Sequence, residues 1–278
     1  MNTVLAVALD LLRQAAARRW ILALGIGVTL ALLVLGVSLR MDVIDGALAA
    51  ASLFGKLFES DVRAADVALR PVFRAAAYVI FYGFSAFLVV ACADFAPSLL
   101  APGRVEALLA MPVRRWHLLM GTYLGVVTLS SVAALYGASG LCLILGVKTG
   151  VWTARPLAAA LLGSLGFSAI YAAMLAAAVV VRSAALSAAV GATVYAAGIV
   201  AGYRTPIADA LTEGLPRTIF RGVTFFLPRL SRLANEAGHL AGGMPVSLSA
   251  FGGVLVGVAA FSAGLLAFAI WLFDRKDY

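Results

Sequence analysis

Few residues of this chain have types and spacings suited to bond-making chemistry. Its two histidines, His117 and His239, and its two cysteines, Cys92 and Cys142, fall short of a metal site, since structural zinc takes four ligands and catalytic zinc three from the protein. No metal is expected. Cys92 lies late in one apolar run and Cys142 late in the next, so on antiparallel neighbouring helices they sit near opposite faces, beyond disulfide reach. Both read as packing residues. Asp94 is the lone acid in or at the edge of an apolar run. An acid inside a membrane is a functional candidate by default; the plainer alternative is that it reaches headgroup water or pairs with Arg104. It has no acidic partner at i+3 or i+4, and both histidines fall in loops, so the constellation of an intramembrane enzyme is missing. No Gly-x-x-x-x-Gly-Lys-Ser/Thr pattern occurs either, which excludes P-loop ATP hydrolysis by this chain.

The elements that would position these residues are membrane helices. Of 278 residues, 63% are hydrophobic and 12% charged, with mean hydropathy +1.03, against roughly 45–50% apolar and about 25% charged in soluble domains. That balance excludes an ordinary soluble enzyme. Six apolar runs, at residues 21–39, 75–93, 118–147, 157–181, 184–203 and 246–273, are each long enough to cross a bilayer. They predict an all-α integral membrane protein in one domain, 1–278. A signal peptide is the rival for the first run, which exceeds a usual h-region and is followed by Arg40, Asp42 and Asp45 before any cleavage site.

Six spans put both termini on one side. The net charge of +8 reads as basic residues beside anionic headgroups rather than as nucleic-acid binding. Lys and Arg number nine on the terminal side and twelve opposite, the twelve being spread over longer loops. The pairs Arg18-Arg19, Arg114-Arg115 and Arg275-Lys276 abut spans, where the positive-inside rule acts most strongly, and favour cytoplasmic termini.

Three stretches outside the spans carry pattern. In residues 1–19 Val4, Leu5, Ala8, Leu11, Leu12 and Ala15 share a face before a pair of arginines, which predicts an N-terminal interfacial helix. In residues 41–58 Ile44, Ala47, Ala51, Phe54 and Phe58 fall opposite Asp42, Asp45, Ser52, Lys56 and Glu59, which predicts a second amphipathic helix, lying on the membrane or on the ends of the spans. Residues 204–245 form the longest connection, and 217–230 within it are too apolar for a free linker and too interrupted to span. They read as interfacial or re-entrant.

The connection at residues 98–125, SLLAPGRVEALLAMPVRRWHLLMGTYLG, is the most informative. Pro102 and Gly103 open a turn, residues 104–111 suit a short helix, Pro112 stops it, and Arg114-Arg115-Trp116 mark where the next span enters the interface. A bare link between spans needs about 2–8 residues. The extra length, with an apolar ridge of Val105, Leu108 and Leu109 flanked by Arg104 and Glu106, fits a docking surface or a helix lying on headgroups.

Gly103, Glu106, Leu108, Leu109, Pro112, Arg115, Leu118, Leu119, Gly121, Leu124 and Gly125 match the form Gly-x-x-Glu-x-Leu-Leu-x-x-Pro-x-x-Arg leading into Leu-Leu-x-Gly-Lys-x-Leu-Gly, with Thr122 in place of the usual Lys. In this the chain resembles the permease subunits of type-2 ABC transporters. The six-span pattern, the tight turn at Arg182-Ser183, the long connection before the last span and the ending at 273–277 extend the likeness over the whole chain, with some similarity to the subgroup associated with copper-enzyme maturation. The resemblance implies a bacterial cytoplasmic-membrane protein whose residues Gly103, Arg104, Glu106, Leu108, Leu109, Pro112, Arg114 and Arg115 form a coupling helix. That helix docks on a separate ATPase subunit, which holds the ATP and Mg; this chain binds no cofactor. It further implies a second permease copy, identical or not, and alternating access driven by ATP closure of the paired ATPases.

Tyr78, Tyr82 and Ser85 share a helical face in the second run, as do Gly191, Tyr195, Gly198 and Gly202 in the fifth. In the family these spans line the cavity of the dimer, which would here be an aromatic, mostly uncharged chamber suited to an amphipathic or lipid-like cargo. Small residues four apart equally serve helix packing, within the chain or between copies, at Gly198/Gly202, Gly121/Gly125 and Gly253/Gly257. The competing reading is a secondary transporter, which tends to show broken spans and internal repeats at matched positions; neither stands out here. Cargo identity, direction, and mechanical work on a periplasmic partner stay open.

Overall fold

A computed structural model describes residues 3–17, 19–44, 47–53, 56–59, 63–101, 103 and 114–276. Among the described residues six helical stretches are long and apolar enough to cross a membrane: Ile21–Ser38, Asp66–Leu99, Arg115–Thr149, Arg155–Val181, Ala184–Gly202 and Phe251–Arg275. The chain is therefore read as a multi-pass membrane protein. In chain order, α1 is Thr3–Ala16 and α2, the first span, is Arg19–Ser38. The second span joins α3 (Ala65–Tyr78), a π-helical turn (Val79–Phe84), α4 (Ser85–Ala91) and α5 (Phe95–Leu99). It starts some ten residues before the apolar run, and that added length carries Asp66, Arg70 and Arg74 at four-residue spacing, with Arg70 paired to Asp66 at 3.7 Å. The remaining spans are α6 (Arg115–Thr149), α7 (Arg155–Val181), α8 (Ala184–Gly202) and α12 (Leu248–Arg275). Between α8 and α12 lie α9 (Arg204–Ala210), α10 (Leu215–Phe226) and α11 (Leu230–Ala241).

The spans are helical, the second with a turn at residues 92–94, but the amphipathic helix expected over residues 41–58 does not form. Leu39–Ile44, Ala47–Leu53, Lys56–Glu59 and Arg63–Ala64 are strands β1 to β4 of an antiparallel sheet. Ile44 stands opposite Ala47 and Leu53 opposite Lys56, so each of the first two connections has two residues. The sequence supplies Asp45-Gly46 and Phe54-Gly55 there. Asp-Gly is a strong hairpin signal and each Gly weakens a helix, which works against the apolar stripe in the sequence; these four residues themselves lie outside the described residues.

The fourth span, α7, is the axis of the bundle. Phe167, Ile170, Tyr171, Met174 and Leu175 along it are buried, and its neighbours include α6, α8, α11 and α12. Without a hydrophobic drive between helices in lipid, such packing relies on close van der Waals fit and interhelical hydrogen bonds. Ser187 in α8 supplies one, donating to the carbonyl of Met174 at 2.9 Å. The first span sits at the edge, with no residue of Ile21–Ser38 buried. It runs parallel to the third: Thr29 meets Tyr136 hydroxyl to hydroxyl at 2.7 Å, and Lys148 donates to the carbonyl of Leu39. Between these two spans lies a groove of about 380 Å3, open to the side and lined by Ile21, Gly25, Ile26, Thr29 and Tyr136 among others.

Residues Thr3–Ala16 do form a helix, α1, which buries Ala8, Leu11 and Ala15 while leaving Leu5 exposed. It lies against the third span where that helix has no side chains: a Cβ on Gly121 would come within 2.6 Å of Val7, and one on Gly125 within 3.2 Å of the Ala8 carbonyl. The turn between the fourth and fifth spans is closed by Arg182 at φ 55, a left-handed residue, and by Ser183, which accepts from the amide of Leu186.

A candidate coupling end and a tyrosine-lined face

At the end of the bundle that carries the termini, the feet of the second-to-third connection pack together. Phe95, Ala96, Leu99 and Leu100 on one side and Leu118 and Leu119 on the other are buried, the last five with Leu175, Val179 and Phe273 in one apolar cluster. Gly103 has φ +80, a conformation that favours glycine, in open space. Arg114 precedes α6 in an extended conformation and is exposed. Arg115 instead turns back across the bundle, donating to the carbonyls of Phe273 at 3.0 Å and Lys276 at 2.5 Å, with its guanidinium 5.9 Å from the Phe273 ring centre. Lys276 in turn donates to the carbonyls of Val179 and Val180, both at 2.8 Å. The foot of the third span is thus tied to the last turns of the fourth and sixth. Of the residues expected to form a coupling helix, Arg104, Glu106, Leu108, Leu109 and Pro112 lie outside the described residues. Asp94 stands exposed at the start of α5 at this same end, away from the middle of the bundle.

The second face lies toward the opposite end. Tyr78 and Tyr82 stack at 6.3 Å, and the Tyr195 hydroxyl donates to the Tyr82 carbonyl at 3.1 Å, so three of the four expected lining residues come together, each half-buried. Ser85 does not join them. The π-helical turn Val79–Phe84, which carries Tyr82 and ends just before Ser85, advances fewer degrees per residue than an α-helix, and Ser85 ends up buried. The turn fits where Phe81 is driven against the fourth span, its ring 2.8 Å from where a Gly166 Cβ would stand.

Two participants escaped the sequence reading. Tyr78 donates to Oδ1 of Asn235 at 2.9 Å and accepts from Arg74 at 3.2 Å, so α11 and the first turns of the second span join this polar face. Helix α11 descends between the spans: Leu233 approaches Gly166, and Gly238 the ring of Tyr78. Its signal was present, since Leu230, Leu233, Ala234, Ala237 and Ala241 recur at helical spacing opposite Arg232, Asn235, Glu236 and His239.

The glycines of the fifth span meet their own chain. Gly191 faces Met174 and Val89; Gly198 faces Leu230 and the Pro228 carbonyl; Gly202 faces Ser231, whose hydroxyl donates to the Ile199 carbonyl at 2.9 Å. That face is filled within the subunit. Gly253 and Gly257 in the sixth span, by contrast, have nothing within 4 Å of a built Cβ among the described residues. Among the described residues Cys92 and Cys142 are not joined in a disulfide, and no three of His, Cys, Asp and Glu gather as a metal site. Compared with known protein families the chain matches none, and it has no significant match among curated proteins.

Proposed function

We propose that this chain is the membrane-spanning subunit of an ATP-driven transporter of the type-2 ABC class, working as a pair of permeases with a separate ATPase. One observation carries the reading. The connection whose sequence resembles a coupling helix is anchored, through Arg115 and Lys276, to the ends of the fourth and sixth spans. A push delivered at that connection then reaches three spans at once, which is what rigid-body switching between two packed arrangements requires. On this reading Glu106 and the ridge of Leu108 and Leu109 meet the ATPase, α1 lies along the headgroups, and both termini are cytoplasmic in a bacterial inner membrane.

The cargo is amphipathic or lipid-like. Tyr78, Tyr82 and Tyr195 offer ring faces and hydroxyls without net charge, and on this reading the pathway forms between two copies. Arg74 and Asn235 supply donors and acceptors at its mouth. The chain contributes no nucleotide chemistry; ATP and Mg belong to the partner.

The test is affinity purification of the tagged chain from its native membrane in mild detergent, with cross-linking before extraction and mass spectrometry of the proteins retained with it. An ATPase bearing a P-loop at a one-to-one ratio supports the reading. A chain that purifies with no such subunit, cross-linked or not, overturns it.

A further inference from the structure

We infer that the end of the fifth span opposite the termini carries a binding site for a phosphate-bearing anionic lipid, formed by Arg204, Arg229 and Arg232 beside the apolar face of α10. The inference uses the membrane placement of the fifth span and stands apart from the transport reading. Packing dictates the cluster. Gly198 and Gly202 admit the chain at Pro228, Ser231 and Arg232, and the bond from Ser231 to Ile199 fixes that contact. This sets Arg229 and Arg232 beside Arg204, the residue just past the last apolar turn of the span. Burial first, then the like charges of Arg204 and Arg232, hold the Arg229 guanidinium below its ordinary range. Its position at the uncapped start of α11 adds the positive end of a helix dipole.

Among the described residues no acid pairs with any of the three. The neighbouring cations differ: Arg217 reaches Asp209 and, at 3.4 Å, Glu213, while Arg221 reaches Asp209 at 3.4 Å. Glu236, one turn beyond Arg232, keeps a buried carboxylate oxygen with no hydrogen-bond partner and makes no ion pair with it. Three guanidiniums gathered without a counter-charge repel one another, and planar guanidinium forks match phosphate oxygens.

A lipid rather than a free anion is indicated by what adjoins them. Helix α10 turns its charged side to Asp209 and Glu213 and leaves Leu215, Ile219, Val223 and Phe226 exposed, Leu215 by 75% and Phe226 by 76%. Arg204 ties cluster to helix, its guanidinium 5.9 Å from the centre of the Phe225 ring. Unpaired cations at headgroup depth next to a bare apolar shelf are complementary to an anionic amphiphile.

The experiment places the full chain in phosphatidylcholine nanodiscs with and without phosphatidylglycerol. It reads the lipid retained after extraction by native mass spectrometry, and the melting temperature. Wild type should retain phosphatidylglycerol several-fold over phosphatidylcholine and melt higher in its presence. Arg204→Gln/Arg229→Gln/Arg232→Gln should lose both effects, yet melt no lower than wild type in phosphatidylcholine alone, because it sheds repulsion. Arg229→Lys, which keeps the charge, should retain the preference in part and reads the site should the triple variant fail to fold. Undiminished phosphatidylglycerol retention in the triple variant, or in Arg229→Gln alone should the triple fail, overturns the site. Stabilisation by inorganic phosphate equal to that by phosphatidylglycerol overturns the lipid and leaves a free-anion site.

Discussion

Arg115, at the first turn of the third span, donates to the main-chain carbonyl of Phe273 at the last turn of the sixth, 3.0 Å away and 158 residues on. Helix C-termini leave four carbonyls without helical partners, and a guanidinium serving two of them both satisfies and charges that end of the bundle. The end of the sixth span is thereby made dependent on the connection before the third. Arg115→Gln should lower stability by about 2 kcal/mol, the scale of a hydrogen bond to a charged group. Arg114→Gln, at an exposed neighbour, should change it by under about 0.5 kcal/mol. Thermal melts in one detergent compare them.

Docking of the ATPase is expected to fail in Glu106→Arg and Leu109→Asp while expression and insertion continue, since the connection contributes no span. An unpaired or like charge at a partly buried contact costs a few kcal/mol, of order 3. Co-purified ATPase and cargo-stimulated hydrolysis are the readouts; wild-type stoichiometry and turnover in both variants would leave the segment a headgroup-lying loop.

Glycines that look alike in sequence should part in behaviour. Gly121→Leu drives a side chain into Val7 and the Val4 carbonyl, which lie 2.6 and 2.9 Å from a built Cβ, at a cost of about 1–3 kcal/mol for an overpacked contact. Gly257→Leu meets open space within the subunit and should leave the monomer's melting temperature alone. Gly198→Leu should damage the subunit's own fold, by displacing Leu230, before it alters assembly. Size-exclusion profiles with melting curves separate the outcomes.

Tyr171 is fully buried, and its hydroxyl has no hydrogen-bond partner among the described residues. An unpaired buried hydroxyl costs about 1–3 kcal/mol, so Tyr171→Phe should raise stability by about 1 kcal/mol while keeping the ring's stack on Tyr123, 6.5 Å between centres. A fall in melting temperature would reveal a partner for that hydroxyl.

Orientation is open to a direct reading. Glu213 is 92% exposed at the end opposite the termini, and Glu213→Cys should react with an impermeant maleimide in intact cells if that end faces outward. Labelling only after lysis reverses the topology.

Sequence by itself determined the helices of the bundle, because a bilayer leaves a run of about 20 apolar residues little choice but to form a helix that satisfies its own backbone. It also determined α1, whose stripe of Ala8, Leu11 and Ala15 is the one that packs, and the pairing of Tyr78 with Tyr82, one helical turn apart. It did not determine the paired strands between Leu39 and Ala64, where the sequence sets Gly46 and Gly55 against a helical stripe and local propensity has no span to settle the contest. Nor did it reveal that Ser85 leaves the tyrosine face, since a π-helical turn is set by where Phe81 must fit against Gly166. The partners of Gly198 and Gly202 and the meeting of Arg204 with Arg229 were decided only in three dimensions. Small side chains record that something comes close, and the return path of α11 between the spans determines what it is.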